Sequence, residues 1–370
     1  MTLSCLPFEE VFEDQSGGNI KTPQSEYLRA GKFPIVDQGK ALIAGYTDDE
    51  SRLCGGGQPA IVFGDHTRCV KYIDKPFCMG ADGVKVLRPR IDADLKYLYY
   101  YLKQLRLPDG GYDRHFKYLK RTEVVLLSLH EQRRVAAILD KADILRANRR
   151  DALAHLDKLA QSVFMEMFGD PIGNPNQYPV KPLMELVDPN RPISYGILMP
   201  GPAVDDGVKY VRVVDMKNGG IELSGIRRTT LEISGAYKRS LLKIGDLLMS
   251  IRGHVGRLAI VPGELEGANI TQDSARIAVV GANALYVREC LRSAGFQRWM
   301  VKHTKGVAVR GINLGDVKRM PIPLPPRRRQ DEFAERVRVA EKIQKQFEGA
   351  LAEADALFAS LQHRAFKGTL

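Results

Sequence analysis

Two polar turns carry the residue types best suited to chemistry in this chain. Ala60-Ile61-Val62-Phe63 runs into Gly64-Asp65-His66-Thr67-Arg68 and out through Cys69-Val70-Lys71-Tyr72-Ile73, a pattern of strand, polar turn and strand. Asp246-Leu247-Leu248-Met249-Ser250-Ile251 likewise runs into Arg252-Gly253-His254-Val255-Gly256-Arg257 and then Leu258-Ala259-Ile260-Val261. At such a tip Arg binds guanine through two hydrogen bonds, Ser and Thr reach several base edges, and Gly lets the backbone approach closely. One such turn alone reads as a solvated hairpin tip. Its recurrence in both halves of a basic chain turns the reading toward a DNA groove. The candidate contacts are Gly64, Asp65, His66, Thr67, Arg68 and Lys71 around the first turn, and Ser250, Arg252, His254 and Arg257 around the second. Arg114, Lys117, Gln272, Arg310 and Asn313 join them. The run Lys305-Gly306-Val307-Ala308-Val309-Arg310-Gly311-Ile312-Asn313 reads either as a phosphate clamp or as a flexible connector.

Bond-making chemistry finds no comparable support. His66 and His254 have no accompanying nucleophile or metal spacing. The chain lacks a Gly-x-x-x-x-Gly-Lys-Ser/Thr loop, and Gly55-Gly56-Gly57 lacks dinucleotide-binding spacing. Neither His-Glu-x-x-His nor paired Cys/His spacing occurs. Pro325-Pro326 stands between leucine and arginine, unlike the Asn/Asp-Pro-Pro-aromatic segment of amino-methyltransferases. Asp94-Leu95-Lys96 and Asp316-Val317-Lys318 end like some nuclease motifs but lack an upstream Pro-Asp partner. No cofactor or metal site is expected in this chain.

The elements that must position the turns recur as well. Residues 312–368 repeat residues 114–170 without a gap at an offset of 198, with 13 identities over 57 positions, enough to read the chain as one unit built twice. Lys120/Lys318, Arg121/Arg319, Leu126/Leu324, Gln132/Gln330 and Phe168/Phe366 are among them. A second similarity joins Leu6-Pro7-Phe8-Glu9-Glu10-Val11 to Lys181-Pro182-Leu183-Met184-Glu185-Leu186. Each hairpin is also followed by Gly-Ala-Asp/Asn, at 80–82 and 267–269.

From Gln132 to Met167 apolar residues recur at helical spacing, and Gly169 and Pro171 end the run. Val135, Ile138, Ala142, Leu145, Leu156 and Leu159 form its stripe, matched in the second copy by Phe333, Val337, Ala340, Phe347, Leu351, Phe358 and Leu361. Helices of about 36 residues would each be roughly 54 Å long. Neither can bury its stripe alone, so the two are expected to pack on each other, antiparallel, rather than each on its own body. Such a pair would act as a ruler spanning about 16 base pairs. Arg149 breaks the first stripe with no evident partner. Arg327-Arg328-Arg329 opposes its helix dipole and reads as facing an acidic surface.

Composition bounds the function class. The 370 residues carry a net charge of +11 with 44% hydrophobic and 27% charged content. This is the balance of a globular protein with a polyanionic partner. No apolar run approaches the ~20 residues that cross a bilayer, and Met1 to Glu10 lacks the order of a signal peptide. Cys5, Cys54, Cys69, Cys78 and Cys290 are odd in number and unpaired in spacing, consistent with reduced thiols in a cytoplasm.

These residues together resemble type I restriction–modification specificity subunits. Leu357 to Leu370, reading Leu-Phe-Ala-Ser-Leu-Gln-His-Arg-Ala-Phe-Lys-Gly-Thr-Leu, is similar to that family's C-terminal signature. Pro321-Ile322-Pro323-Leu324-Pro325-Pro326 with Gln330 resembles the start of its conserved helix, and Leu126 to Leu139 its central equivalent. Gly245 to Ser274 and Ile61 to Pro89 resemble target recognition cores. The first copy departs by reading Leu127-Ser128-Leu129-His130 where the second has prolines.

The resemblance implies an α+β fold: two mixed target recognition domains separated by two long antiparallel helices packed as a coiled coil, with pseudo-two-fold internal repetition. The expected division is 1–128, recognition domain 1; 129–169, central helix; 170–325, recognition domain 2; 326–370, C-terminal helix. It further implies a non-catalytic subunit in which each domain reads half of a bipartite DNA target for defence against foreign DNA. Modification subunits would carry S-adenosylmethionine, and restriction subunits would use ATP and Mg. The competing readings are a standalone DNA methyltransferase or nuclease with diverged motifs, and a coiled-coil scaffold without a DNA role.

Overall fold

The computed structural model describes residues 4–108, 113–217, 219–306 and 310–370, with residue 157 described by its backbone only. Val307, Ala308 and Val309 of the basic loop therefore lie outside the described residues. The chain forms two compact units, one of residues 1–150 with 350–370 and one of residues 151–349. Among the described residues no helix is long and apolar enough to cross a membrane.

In the first unit a four-stranded antiparallel sheet runs, in spatial order, Phe12–Asp14, Val84–Pro89, Ala60–Gly64 and Val70–Ile73. Its central strand is covered on both faces, which is why Ala60-Ile61-Val62-Phe63 reads as an unbroken apolar run. Ile61 and Phe63 face Leu87, Tyr97, Leu98 and Phe116, while Ala60 and Val62 face Val36, Phe77, Met79 and Val86. A three-stranded sheet of Gly45–Thr47, Phe33–Val36 and Cys78–Met79 ends in a parallel pair.

The second unit repeats this plan. Ser194–Tyr195, Ser274–Ile277, Leu247–Ser250 and Leu258–Ile260 form the four-stranded sheet. Arg227–Thr229, Val208–Val211 and Asn269–Ile270 form the other, again ending in a parallel pair. The short similarity near the N-terminus has a structural counterpart: Leu6 pairs with Val124 and Lys181 with Ile322, on matching antiparallel strands. The Gly-Ala correspondence does not hold. Gly80-Ala81 follows the parallel strand Cys78–Met79, whereas Gly267-Ala268 precedes its equivalent, Asn269–Ile270. Three-residue similarity in turns reflects shared turn chemistry rather than shared position.

The long helices span Leu129–Phe168 and Arg327–Phe366, 40 residues each, with both ends related by the same offset. Both start earlier than the apolar periodicity does. In the first copy the Ser128 hydroxyl accepts from Glu131 N at 3.3 Å, a side-chain cap on an otherwise unpaired N–H. In the second Pro326 holds that position, and its carbonyl accepts from Arg329 N at 2.8 Å. Gly169, at φ +73°, ends the first helix, a left-handed conformation that glycine adopts without strain.

Within each unit the segments of the two helices run antiparallel and pack on each other and on the body, so the expected alternatives both hold in part. In the first unit Arg149 Nη1 donates to Ala350 O at 2.7 Å, and Arg146 bonds Asp355 at 2.5 Å and lies 4.2 Å over the Phe358 ring. Val135, Leu139, Phe358 and Phe366 join the core of the body. In the second unit Phe333 lies 5.6 Å from both Phe164 and Phe168, and Val337 joins the same core.

Three stripe residues are corrected: Leu145, Leu159 and Phe347 are 56%, 41% and 36% exposed. A helix facing one neighbour seals a narrow seam and leaves its flanking rows open. Ile138, Ala142, Leu156, Leu351 and Leu361 are half-buried, and Ala340 is buried. Arg327 pairs with Asp331 at 3.0 Å, and Arg329 Nη2 donates to Met167 O at 3.4 Å.

Candidate nucleic-acid interface

The hairpin turn of the first unit is fixed by three other loops. Asp65 N donates to Gly83 O at 2.7 Å, and Asp65 O accepts from His115 N at 2.8 Å. His66 N donates to Gln38 Oε1 at 3.2 Å, and the Thr67 hydroxyl bonds Gln38 O. Gly64 is required here, because a Cβ would come within 2.8 Å of Gln38 O. Arg68 takes φ +60° and is exposed, as are Thr67, Arg114 and Lys117; His66 is half-buried. The link from Asp65 to His115 thus brings the turn, Arg114 and Lys117 to one face. Lys117 pairs with Asp113 at 2.8 Å. That hydrogen bond, with a second from Tyr118, holds the Asp113 carboxyl down to about 2.

Two candidates of this unit look inward instead. Asp65 is 6% exposed, and its Oδ1 accepts from Phe116 N at 2.8 Å. Lys71 is 5% exposed and donates to Asp37 O at 2.7 Å. Burial pushes its ammonium pKa below the usual lysine range, against the pull of Asp37. Both side chains are spent on internal partners and are corrected from contacts to supports.

The second unit assembles a similar face. Gly253 N donates to Arg310 O and Ile312 N to Ile251 O, each at 2.9 Å, while Ile251 N donates to Asp273 O at 2.7 Å. Arg252 Nη1 donates to Gln272 Oε1 at 3.0 Å. The turn, Gln272 and Arg310 are therefore neighbours, with Arg252, His254 and Arg310 exposed.

Ser250 is the correction in this unit. It is fully buried, its hydroxyl donating to His254 O and accepting from Arg257 N at 2.8 Å. Arg257 is half-buried, donates to Val213 O at 3.2 Å, and lines an open pocket with Lys217, Arg292 and Gln297. Asn313 is exposed, but its amide is engaged in capping the helix Leu314–Lys318, with Oδ1 accepting from Asp316 N at 2.9 Å.

Sequence reasoning passed over Gln38, which organises the first turn, and the segment Tyr195–Met199, which borders the second. Neither stands in a motif; only long-range backbone pairing brings them in. The Asp-x-Lys triplets are structural. Asp94 caps its helix by accepting from Tyr97 N at 2.9 Å, and Lys96 pairs with Asp140 at 2.6 Å. Asp316 pairs with Arg319 at 2.7 Å. Among the described residues no cluster of His, Cys, Asp or Glu is arranged to hold a metal.

Comparison with known proteins supports the family resemblance. Residues 203–351 match the type I restriction modification DNA specificity domain. The chain is 34% identical to the Type I restriction enzyme EcoBI specificity subunit of Escherichia coli, over 51% of this chain and 41% of that protein. It is 26% identical to the EcoR124I/EcoR124II specificity subunit of Escherichia coli, over 30% of this chain and 29% of that protein. The matches thus span less than half the length of either relative.

In fold, the chain resembles the S subunit of a type I restriction-modification system from M. genitalium. The TM-score is 0.64 at 16% identity, covering 99% of this chain and 96% of the other. A chain solved in work on assembly and conformational transition of the type I R-M system gives a TM-score of 0.51 at 15% identity, covering 100% and 98%. At these identities the likeness establishes the fold: mixed helix and sheet, two sheet-rich bodies and long helices.

Proposed function

From its relationship to type I restriction–modification specificity subunits, we propose that this chain is the DNA sequence-reading subunit of such a complex, without a reaction of its own. The observation that carries the reading is the duplicated hairpin: one sheet plan in both units, with each turn bonded to the segment before a short helix and a different set of polar side chains exposed. Scaffolds alike in backbone and unlike at the tips suit two different half-sites.

The proposed division is recognition domain 1 over 1–128, a helix over 129–169, recognition domain 2 over 170–325 and a helix over 326–370. His66, Thr67, Arg68, Arg114 and Lys117 serve the first half-site, and Arg252, His254, Arg257, Gln272 and Arg310 the second. Gly64 keeps the first turn close, and Asn313 shapes the loop beside Arg310. Helix length sets the unread spacer, and the helices dock two modification subunits. Methyl transfer from S-adenosylmethionine and ATP-driven restriction belong to the partner subunits. The net charge of +11 supports phosphate contact.

The test is exchange of residues 170–325 for the corresponding body of a related subunit, followed by methylome sequencing of cells expressing the chain with its modification subunits. One half of the methylated sequence should change and the other stay. Both halves changing, or neither, overturns modular reading. Removing one seven-residue block from each long helix should shorten the spacer and leave both half-sites intact.

A further inference from the structure

Leu198 and Met199 are 53% and 73% exposed, beside Tyr195 at 56%, yet the backbone that carries them is held on both sides. Ile197 N donates to Ile270 O, and Gln272 N donates to Ile197 O, each at 2.8 Å. Beyond the pair, Pro200 O accepts from Thr229 Oγ1 at 2.7 Å. Before it, Gly196 lies so close to the neighbouring strand that a Cβ would stand 1.8 Å from Ile270 O. Two large apolar side chains are thus displayed to solvent by a fixed segment, an arrangement that costs free energy unless something covers it.

The surroundings indicate what covers it. Gln272, whose N–H holds Ile197, also accepts from Arg252 Nη1 at 3.0 Å, and Gly253 of the same turn bonds Arg310 O. The segment that carries the apolar pair is therefore joined through Gln272 to Arg252 and, by the Arg252–Gly253 turn, to Arg310, with Asp273, whose carbonyl accepts from Ile251 N and Arg252 N, the acidic residue of this link. Fixed aliphatic groups beside exposed arginines match duplex DNA. The arginines suit phosphates and guanine edges, and the apolar group that a major groove offers is the C5 methyl of thymine.

We propose that Leu198 and Met199 are specificity-determining contacts of the second recognition domain, meeting thymine methyl groups in its half-site. This rests on the DNA-reading role proposed above. An apolar contact of this kind displaces no counterion, so it adds discrimination between sequences without steepening the salt dependence of binding.

The experiment uses the purified full chain and a duplex selected by it from a random pool. Binding is measured for the wild type, Leu198→Ala, Met199→Ala and the double variant across a salt series. The probes are the selected duplex, the same duplex with uracil replacing each thymine of the half-site in turn, and an unrelated duplex. Uracil at one or two positions should weaken wild-type binding about tenfold. The double variant should lose a similar factor on the thymine duplex and nothing further on the uracil one. Its affinity for the unrelated duplex, its salt slope and its thermal midpoint should match the wild type.

The uracil series on the unmodified chain reads the same contact without any substitution. A double variant that binds the selected duplex like the wild type overturns the proposal and leaves a protein surface as the cover. Wild-type binding indifferent to uracil, or a half-site without thymine, overturns it as well. A chain that selects no sequence at all overturns the DNA-reading role and this inference together, a result distinct from the others.

Discussion

Gln132 receives the backbone N–H of Asp94 on its Oε1 at 2.8 Å and returns its own amide to Leu127 O at 2.8 Å. Gln330 repeats the arrangement with Asn283 N at 2.9 Å and Pro325 O at 2.8 Å. Both glutamines are 3% exposed, and both tie the first turn of a long helix to the cap of a body helix. Replacing Gln132 with Leu keeps the volume but strands a half-buried N–H and a buried carbonyl. The expected loss is about 2–6 kcal/mol, since each of the two orphaned groups costs about 1–3 kcal/mol. Urea denaturation of the full chain checks it, and a loss under about 0.5 kcal/mol would show that the pairing is replaceable.

Ser250 and Arg252 are two residues apart and should fail in different ways. Ser250→Ala removes the hydroxyl that bonds His254 O and Arg257 N and should lower stability by about 1–3 kcal/mol. Arg252→Ala should leave the thermal midpoint unchanged and weaken binding to a selected duplex about tenfold or more. Melting curves and duplex titrations on both variants separate the two. Equal effects of the two substitutions on stability would contradict the burial difference.

Asp355 links the helix segments of the first unit through Arg146 and Arg150. The hydrogen bond from Arg146 is the main reason its carboxyl titrates below the ordinary aspartate value of 3.8. A carboxylate depressed in this way adds stability above pH 3.8, and that increment fades as pH falls through the lower folded value. The Asp355 side chain is 41% exposed, so solvent screening limits the increment to less than ~1 kcal/mol. Asp355→Asn should therefore be slightly less stable than the wild type at pH 7, with a smaller difference at pH 2. Denaturation at the two pH values tests this, and a difference that grows on acidification would refute it.

Gly196→Ala should be among the most damaging single-methyl additions in the second unit. Its Cβ would fall 1.8 Å from Ile270 O, a backbone atom in a strand. The segment must shift, at a cost of about 1–3 kcal/mol, and Leu198 and Met199 shift with it. Gly235→Ala, where a Cβ meets nothing within 4 Å, serves as the control. Thermal melting of both variants decides the matter.

Much of this architecture is legible in the order of the residues alone. The offset of 198 between Gln132 and Gln330 marked two copies, and the periodicity from Val135 onward marked the long helices. The alternation around Gly64–Arg68 and Arg252–Arg257 marked the hairpins. Such features are local, because a helix or strand records which of its faces is buried in the order of its own side chains. The apolar periodicity alone did not mark the starts of the helices, since Leu129 and Arg327 sit in first turns that caps define rather than periodicity.

The roles of single polar residues depended on the fold. Asp65, Lys71 and Ser250 carry the same chemistry as Thr67, Arg68 and Arg252, and nothing in their spacing tells the buried from the exposed. The difference arises from Gly83, His115, Asp37, Asp273 and Arg310, which are remote in sequence and meet the turns only through tertiary backbone pairing. The same holds for Arg149, whose partner is a carbonyl about two hundred residues away, and for Leu198 and Met199, which become a displayed surface only because Gly196 and Ile197 are pinned to Ile270. By itself the sequence determined the duplication, its helices and its paired hairpins. Tertiary structure decided which side chains face solvent, because the direction of a turn residue is set by whichever distant loop satisfies its backbone.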